Sequence, residues 1–338
     1  MTIRRSLDIT VDRLPLAQPF RITGHVFTET AIVIATITEG RWRGRGEAAG
    51  VYYLDDPADR AAERIEGLRA AIERGLDRDA LQHALPAGGA RNAIDCALWE
   101  LEAQRTGQPV WTLAGLSQPR PLRTAFTLGT DAPERMRAAA AAYDVARSLK
   151  LKLSGDVADD MARVQMVREA RPDCWIGVDA NQGFTLEALE QLMPTLIEAG
   201  VELIEQPLPR GQEEALRGFR SPIPLAADES VQTSADIPAL AGLFDVINIK
   251  LDKCGGLTEA LQMVRTAQAL GMEAMVGNMT GSSLAMAPGF VLGQLCRYVD
   301  LDGPTFLARD HEPSVSYSDG MIYCPETLWG CDAQPIHA

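Results

Sequence analysis

The chain has 338 residues, 46% of them hydrophobic and 23% charged, the usage of a globular protein with an ample core. Its 46 acidic and 32 basic residues leave a net charge of -14, which argues against nucleic acid, whose phosphates need clusters of Lys and Arg. No apolar run reaches membrane-spanning length, and the N-terminal MTIRRSLDITVDRLPL lacks the apolar core of a signal peptide.

Residues 1–118 read as strands and then helices, an α+β module. ITVDRLPL and AIVIATITEG have the β-branched content of strands. PFRITGHVFTET between them reads as a polar loop with Gly24, and GRGEAAGVYYLDDP as a second, Gly-rich loop. A helical pattern covers Asp59 to Leu81, and ARNAIDCALWELEAQRTG reads as an amphipathic helix ending at Gly107. From 119 to 306 the pattern changes to short apolar runs, each followed by a helical segment. RTAFTLG, SLKLKLS, WIGVDAN, VELIEQP, PLAADES, VINIKLD, EAMVGNM and RYVDLDG recur about every 22 to 27 residues, the repeat of successive β/α units. A closed barrel is the stronger reading than an open sheet, and no GxGxxG follows any strand to support a dinucleotide fold. The segment 307–338, rich in Pro, Gly and Ser, is expected to return to the N-terminal module.

Three acidic residues end consecutive strands: Asp179, Glu205 and Asp228, spaced 26 and 23 residues apart. Each alone reads as a helix cap or a solvated loop residue. Together they converge at the end of a barrel where chemistry is kept. Oxygen ligands without sulfur or imidazole suit Mg²⁺. The six cysteines (Cys96, Cys174, Cys254, Cys296, Cys324, Cys331) are scattered without a CxxC pair, and only four histidines exist, so zinc has no ligand pattern. The cysteines read as reduced thiols of a cytoplasmic protein.

In SLKLKLS, period two puts Lys150 and Lys152 on one face and Leu149, Leu151 and Leu153 on the other. A solvent-exposed edge strand would give the same alternation. Lys250 weighs against that, because VINIKLD puts a second inward lysine four units later, half a turn around an eight-strand barrel. A lysine base needs a pKa near neutrality, which Lys150 and a metal ion would promote for Lys152 by their positive charge. One lysine could then remove a proton from one face of a carbon and the other return one to the opposite face, with an enediolate held against the metal.

These residues resemble the enolase superfamily, in its muconate-lactonizing-enzyme subgroup, over nearly the whole chain. The resemblance rests on the helix ARNAIDCALWELEAQRTGQPVWTLAGL, the KxK strand, the DAN, EQP and ADES carboxylates, and KxxKxGG at 250–256. It implies a modified (β/α)7β TIM-like barrel with an α+β capping domain, Mg²⁺ on Asp179, Glu205 and Asp228, and Lys152 and Lys250 as acid and base. The DxD of the eighth strand, Asp300 and Asp302, is similar to the pair with which dipeptide epimerases hold a substrate ammonium, although it also reads as a β-turn. The same likeness implies substrate contacts from Thr127 and Asn278, and from Lys150 to the substrate carboxylate. Where Ala-Glu epimerases tend to place an arginine in the first loop, this chain offers His25 and Arg21. The expected activity is therefore epimerisation of a dipeptide, with L-Ala-D/L-Glu as one candidate. The alternatives are N-acylamino acid racemase, o-succinylbenzoate synthase or cycloisomerase. A sugar-acid dehydratase would bring a His-Asp pair to the later strands, yet no histidine lies between His83 and His311. A non-catalytic scaffold would have lost site residues, and none is missing. Barrels of this kind often form homo-oligomers, but the sequence carries no interface signal.

Overall fold

The computed structural model describes residues 4–22 and 24–330. Cys331 lies outside them, and the other five cysteines are free thiols. The chain opens with an antiparallel sheet, β1 (Arg5–Ile22), β2 (His25–Glu39) and β3 (Trp42–Ala49). Of the two segments expected as loops, PFRITGHVFTET is largely strand, while GRGEAAGVYYLDDP is strand only to Ala49 and then turns through the 3-10 helix Tyr52–Leu54. PFRITGHVFTET is the tip of the β1–β2 hairpin, where Phe20 faces Phe27, Arg21 faces Val26 and Ile22 faces His25. The tip is mostly exposed, so backbone pairing and not an apolar alternation defines it. In β3 the glycines mark a close approach instead of a turn. A Cβ on Gly44 or Gly46 would lie 1.9 Å or 2.1 Å from the carbonyl of Ala97 or Ala93.

Those carbonyls belong to the helix Gly89–Thr106, which is buried on almost every side and is not the amphipathic element expected. Ala90, Ala93, Ile94 and Ala97 pack with Val33, Ala35, Ile37 and Ala48 of the sheet. Cys96, Trp99 and Ala103 belong to the barrel core. The helix is therefore the layer between cap and barrel. Its buried polar groups bond across that layer: Asn92 donates to Asp252 at 3.1 Å, and Asp95 accepts from Thr258 N at 2.9 Å. The stretch read as one helix from Asp59 to Leu81 is three, Ala58–Gly67, Arg69–Glu73 and Arg78–Ala84, the last capped by Asp77.

Eight parallel strands follow in sequence order: Phe126–Leu128, Ser148–Lys152, Trp175–Asp179, Val201–Glu205, Leu225–Ala227, Val246–Lys250, Glu273–Gly277 and Tyr298–Val299. Ala125 N donates to Val299 O at 2.8 Å, so the first strand region meets the last. Leu149, Leu151 and Leu153 lie in the outer core, while Leu203, Ala226, Val246 and Met275 form a separate inner cluster. Strands one, two, three, six and seven are followed by helices of 10 to 14 residues. Strand four is followed only by the 3-10 turn Glu213–Leu216 and strand five by the four-residue helix Ile237–Leu240, so the expectation of a full helical segment after every strand fails there. The architecture is a capped, modified TIM-like barrel.

The C-terminal segment touches both parts. Leu307 bridges to Leu16, and Trp329 Nε1 donates to Arg45 O at 3.0 Å. Met321–Tyr323 pairs with Leu122–Arg123 just before the first barrel strand. Among the described residues no helix is long and apolar enough to cross a membrane.

Candidate active site

Parallel register sets the site. Lys152, Asp179 and Glu205 are the last residues of strands two, three and four, and they lie side by side in the ladder. Asp228 follows strand five directly, and Lys250 ends strand six. Inward direction follows from period two, which leaves the alternate leucines and isoleucines to the outer core. Asp179, Glu205 and Asp228 are buried, with ligand atoms within 4.8 Å of one another. Past the strand ends, Asn181, Gln182 and Gln206 adopt positive φ of 43°, 69° and 37°, left-handed backbone that is uncommon for non-glycine residues. Gln206 uses this turn to accept from Asp228 N at 2.9 Å, fixing the third carboxylate.

Each carboxylate meets amines. Lys152 Nζ is 2.6 Å from Asp179 Oδ2, and Lys250 Nζ is 2.6 Å from Asp228 Oδ2. Lys150 Nζ stands among three groups, 3.1 Å from Asp179, 2.8 Å from Glu205 and 2.9 Å from Asp300. Burial pushes Asp179 and Asp228 up, but the lysines outweigh it and hold both below the usual carboxylate range. Glu205 goes the other way, raised to about 8 by burial and by Asp179 beside it. Burial disfavours the Lys150 charge, yet Asp300, Glu205 and Asp179 raise it well above the ordinary amine. Lys250 is raised as well, against burial, chiefly by Asp228. A lowered amine pKa is thus not produced by the protein groups at Lys250, because carboxylates outnumber the cations near it.

The donor set fits a hard divalent cation. All three groups offer oxygen, and Glu205 Oε2 is buried without a directed hydrogen bond although Lys150 lies nearby. A cation there would take up the negative charge that now raises the amines.

Lys152 and Lys250 line one cavity of about 120 Å³ between barrel and cap, together with Asp228, Asn181, Glu229 and Asn278. Its roof comes from the hairpin tip and the Tyr52–Tyr53 turn. The other expected residues are placed differently. Lys150 and Glu205 instead line a cavity that includes Arg297 and Tyr298 from the start of strand eight. Asp300 is buried against Lys150, and Asp302 Oδ2 accepts from Thr127 N at 2.6 Å. Burial and Asp300 raise Asp302 to about 7. Asn278 Nδ2 donates to Asp300 O at 2.6 Å. Arg21 is exposed. His25 is exposed with its ring 4.5 Å from that of Tyr52.

Sequence reasoning assigned no role to Lys253, Glu229 or Asn181. Lys253 Nζ donates to Asp228 Oδ1 at 2.6 Å from the short helix Leu251–Cys254. Burial lowers its pKa despite Asp228. Asn181 Nδ2 donates to Glu229 Oε1 at 3.2 Å, while Asn181 Oδ1 and Glu229 Oε2 are buried without partners. All three lie inside motifs visible in the sequence, KxxK, DAN and ADES, where strand alternation has already ended.

Residues 4–115 match the mandelate racemase / muconate lactonizing enzyme N-terminal domain family, and residues 133–328 match the enolase C-terminal domain-like family. The chain is 39% identical to an N-acetyl-D-glutamate racemase of Pseudoalteromonas sp, over 88% of this chain and 95% of that protein. It is 36% identical to the L-Ala-D/L-Glu epimerase of Escherichia coli, over 94% of this chain and 99% of that one. Among solved structures, a dipeptide epimerase from Methylococcus capsulatus complexed with Mg and L-Arg-D-Lys superposes with a TM-score of 0.90 at 31% identity, covering 97% of this chain and 99% of that one.

Proposed function

The chain belongs to the enolase superfamily, with both domains of its mandelate racemase / muconate lactonizing branch, and is an isomerase; on that premise we propose that it inverts the α-carbon of the C-terminal residue of a dipeptide, with Mg²⁺ as cofactor. The observation that carries this reading is the pair Lys152 and Lys250, from strands two and six, lining one cavity against different members of a buried acidic triad.

Asp179, Glu205 and Asp228 would hold the ion, which supplies positive charge where the substrate carboxylate becomes an enediolate. One lysine, as the neutral amine, takes the α proton while the C–H electron pair moves into the carboxylate. The other, as the ammonium, returns a proton to the opposite face. The first ends protonated and the second neutral, so the reverse reaction exchanges their roles. Lys150 adds fixed positive charge beside the carboxylate, Asp300 and Asp302 hold the substrate ammonium, and Thr127 and Asn278 position the substrate. Arg21 and His25, at the hairpin tip, do not line this cavity and carry no step of the reaction. The test is α-proton exchange in D₂O, starting from each stereoisomer. Lys152→Ala and Lys250→Ala should each abolish epimerisation, and each should block exchange from a different isomer. Full exchange of both isomers by either variant refutes the assignment.

A second reading is favoured by specific observations. Asp300 and Asp302 are already engaged by Lys150 and Thr127, and one relative is named a racemase of an N-acetylated amino acid. An acylated substrate carries no ammonium. Asp302→Asn keeps an acceptor for the Thr127 N–H, so it separates the two. Dipeptide turnover should fall at least a hundredfold while an N-acetyl substrate is turned over unchanged. Equal dipeptide turnover by variant and parent would favour the acylated substrate.

A further inference from the structure

The roof of the cavity carries information that the lysines and carboxylates do not. It is contributed by Leu16, Phe20, Ile22 and Phe27 of the hairpin arm, Tyr52 of the turn after β3, and Met279 after strand seven. The rings brace one another: Phe27 to Tyr52 at 5.7 Å, Tyr52 to Tyr53 at 5.1 Å, and Phe20 to Phe306 at 4.6 Å. The patch is thus already assembled above the two amines.

The charges around it are few and accounted for. Among the described lining residues the cations are Lys152 and Lys250, each on its own carboxylate. Glu29 lines the same cavity and pairs with Arg13 at 3.2 Å, both half-exposed. Asp228, paired with Lys250, and Glu229 bring the acidic lining residues to three. Arg21 is not among the lining residues. An anionic side chain placed under this roof would be desolvated facing Glu29, Asp228 and Glu229, with no cation of its own. An apolar side chain would be buried against hydrocarbon and aromatic faces.

Reaction geometry links this roof to a substrate group. The α-carbon must lie within reach of both lysines, and its carboxylate must face the acidic floor. A remaining substituent then meets the roof. We infer that the roof is the subsite for the side chain of the inverted residue, and that this side chain is apolar or aromatic. The inference rests on the racemase and epimerase reading above and narrows its substrate class.

The test is α-deuterium incorporation in D₂O with Mg²⁺, run on two substrate series. One is L-Ala-L-Phe, L-Ala-L-Leu, L-Ala-L-Glu and L-Ala-L-Lys, and the other is N-acetyl-L-Phe, N-acetyl-L-Leu, N-acetyl-L-Glu and N-acetyl-L-Lys. In whichever series exchanges, kcat/KM for Phe or Leu should exceed that for Glu and Lys at least tenfold. A preference for Glu or Lys overturns the subsite and leaves the isomerase reading standing. Exchange confined to the N-acetyl series overturns the dipeptide reading, while the order within that series still decides the subsite. No exchange in either series overturns both. Phe27→Arg should lower the Phe-to-Glu ratio at least tenfold, mainly through KM, whereas Phe27→Leu should keep the apolar preference. An unchanged ratio in Phe27→Arg counts against the subsite.

Discussion

Four lysines lie within the site, Lys250 on Asp228 among them, and they differ in what they would leave behind. Lys152 faces one carboxylate, Lys150 three, and Lys253 is buried against Asp228 and two carbonyls. Removing one partner of a buried ion pair leaves the other charge uncompensated, at a cost of about 3–5 kcal/mol. Lys253→Met is therefore expected to lower unfolding free energy by about that amount, measured by urea titration. A loss below about 1 kcal/mol would show that Lys250 alone satisfies Asp228. Lys253 was illegible as a site residue because it follows the strand, in a helical turn where period two no longer reports direction. Lys150 and Lys152 were legible for the opposite reason, since both lie within strand two.

The elements misread from sequence are those defined by neighbours. The β1–β2 tip is paired by its backbone, and β3 looks like a loop because its glycines are small enough to meet a helix. Gly46→Ala should test that contact directly. Its Cβ would lie 2.1 Å from a carbonyl oxygen, so sheet or helix must shift, at a cost on the order of 1–3 kcal/mol. Urea unfolding measures it, and an unaltered midpoint would mean that β3 and the helix are not rigidly apposed. The barrel strands were legible because each buries an alternating or continuous apolar run at a regular interval. The missing helices after strands four and five were not, because turns of four residues carry no periodic signal.

At the scale of the whole molecule, cap and barrel meet through buried carboxylates. Glu47 of β3 accepts from Ser282 N at 2.7 Å, and Asp252 accepts from Ala49 N at 2.9 Å. Burial pushes Glu47 up to about 7, and Asp252 and Asp95 to about 6. Because their folded pKa values lie above the ordinary ones, the folded state binds more protons. Their contribution is complete below about pH 4 and is lost as pH rises through 6 to 7. Metal-stripped protein should lose stability between pH 5 and 8, and Glu47→Gln, which keeps an acceptor for Ser282, should flatten the slope. A wild-type slope of opposite sign would refute it. Mg²⁺ at a hundred times its Kd should add about 2.7 kcal/mol to unfolding free energy, an increment that Asp179→Asn should abolish. By itself the sequence determined the barrel, its three converging carboxylates and the inward lysines. Covalent geometry alternates side chains along a strand, and a constant repeat stacks strand ends at one level. Only the tertiary structure decided what roofs the cavity, which carboxylate each amine meets, and that Asp300 and Asp302 are already bonded. Those facts depend on contacts between residues up to 175 positions apart, whose distances no local pattern encodes.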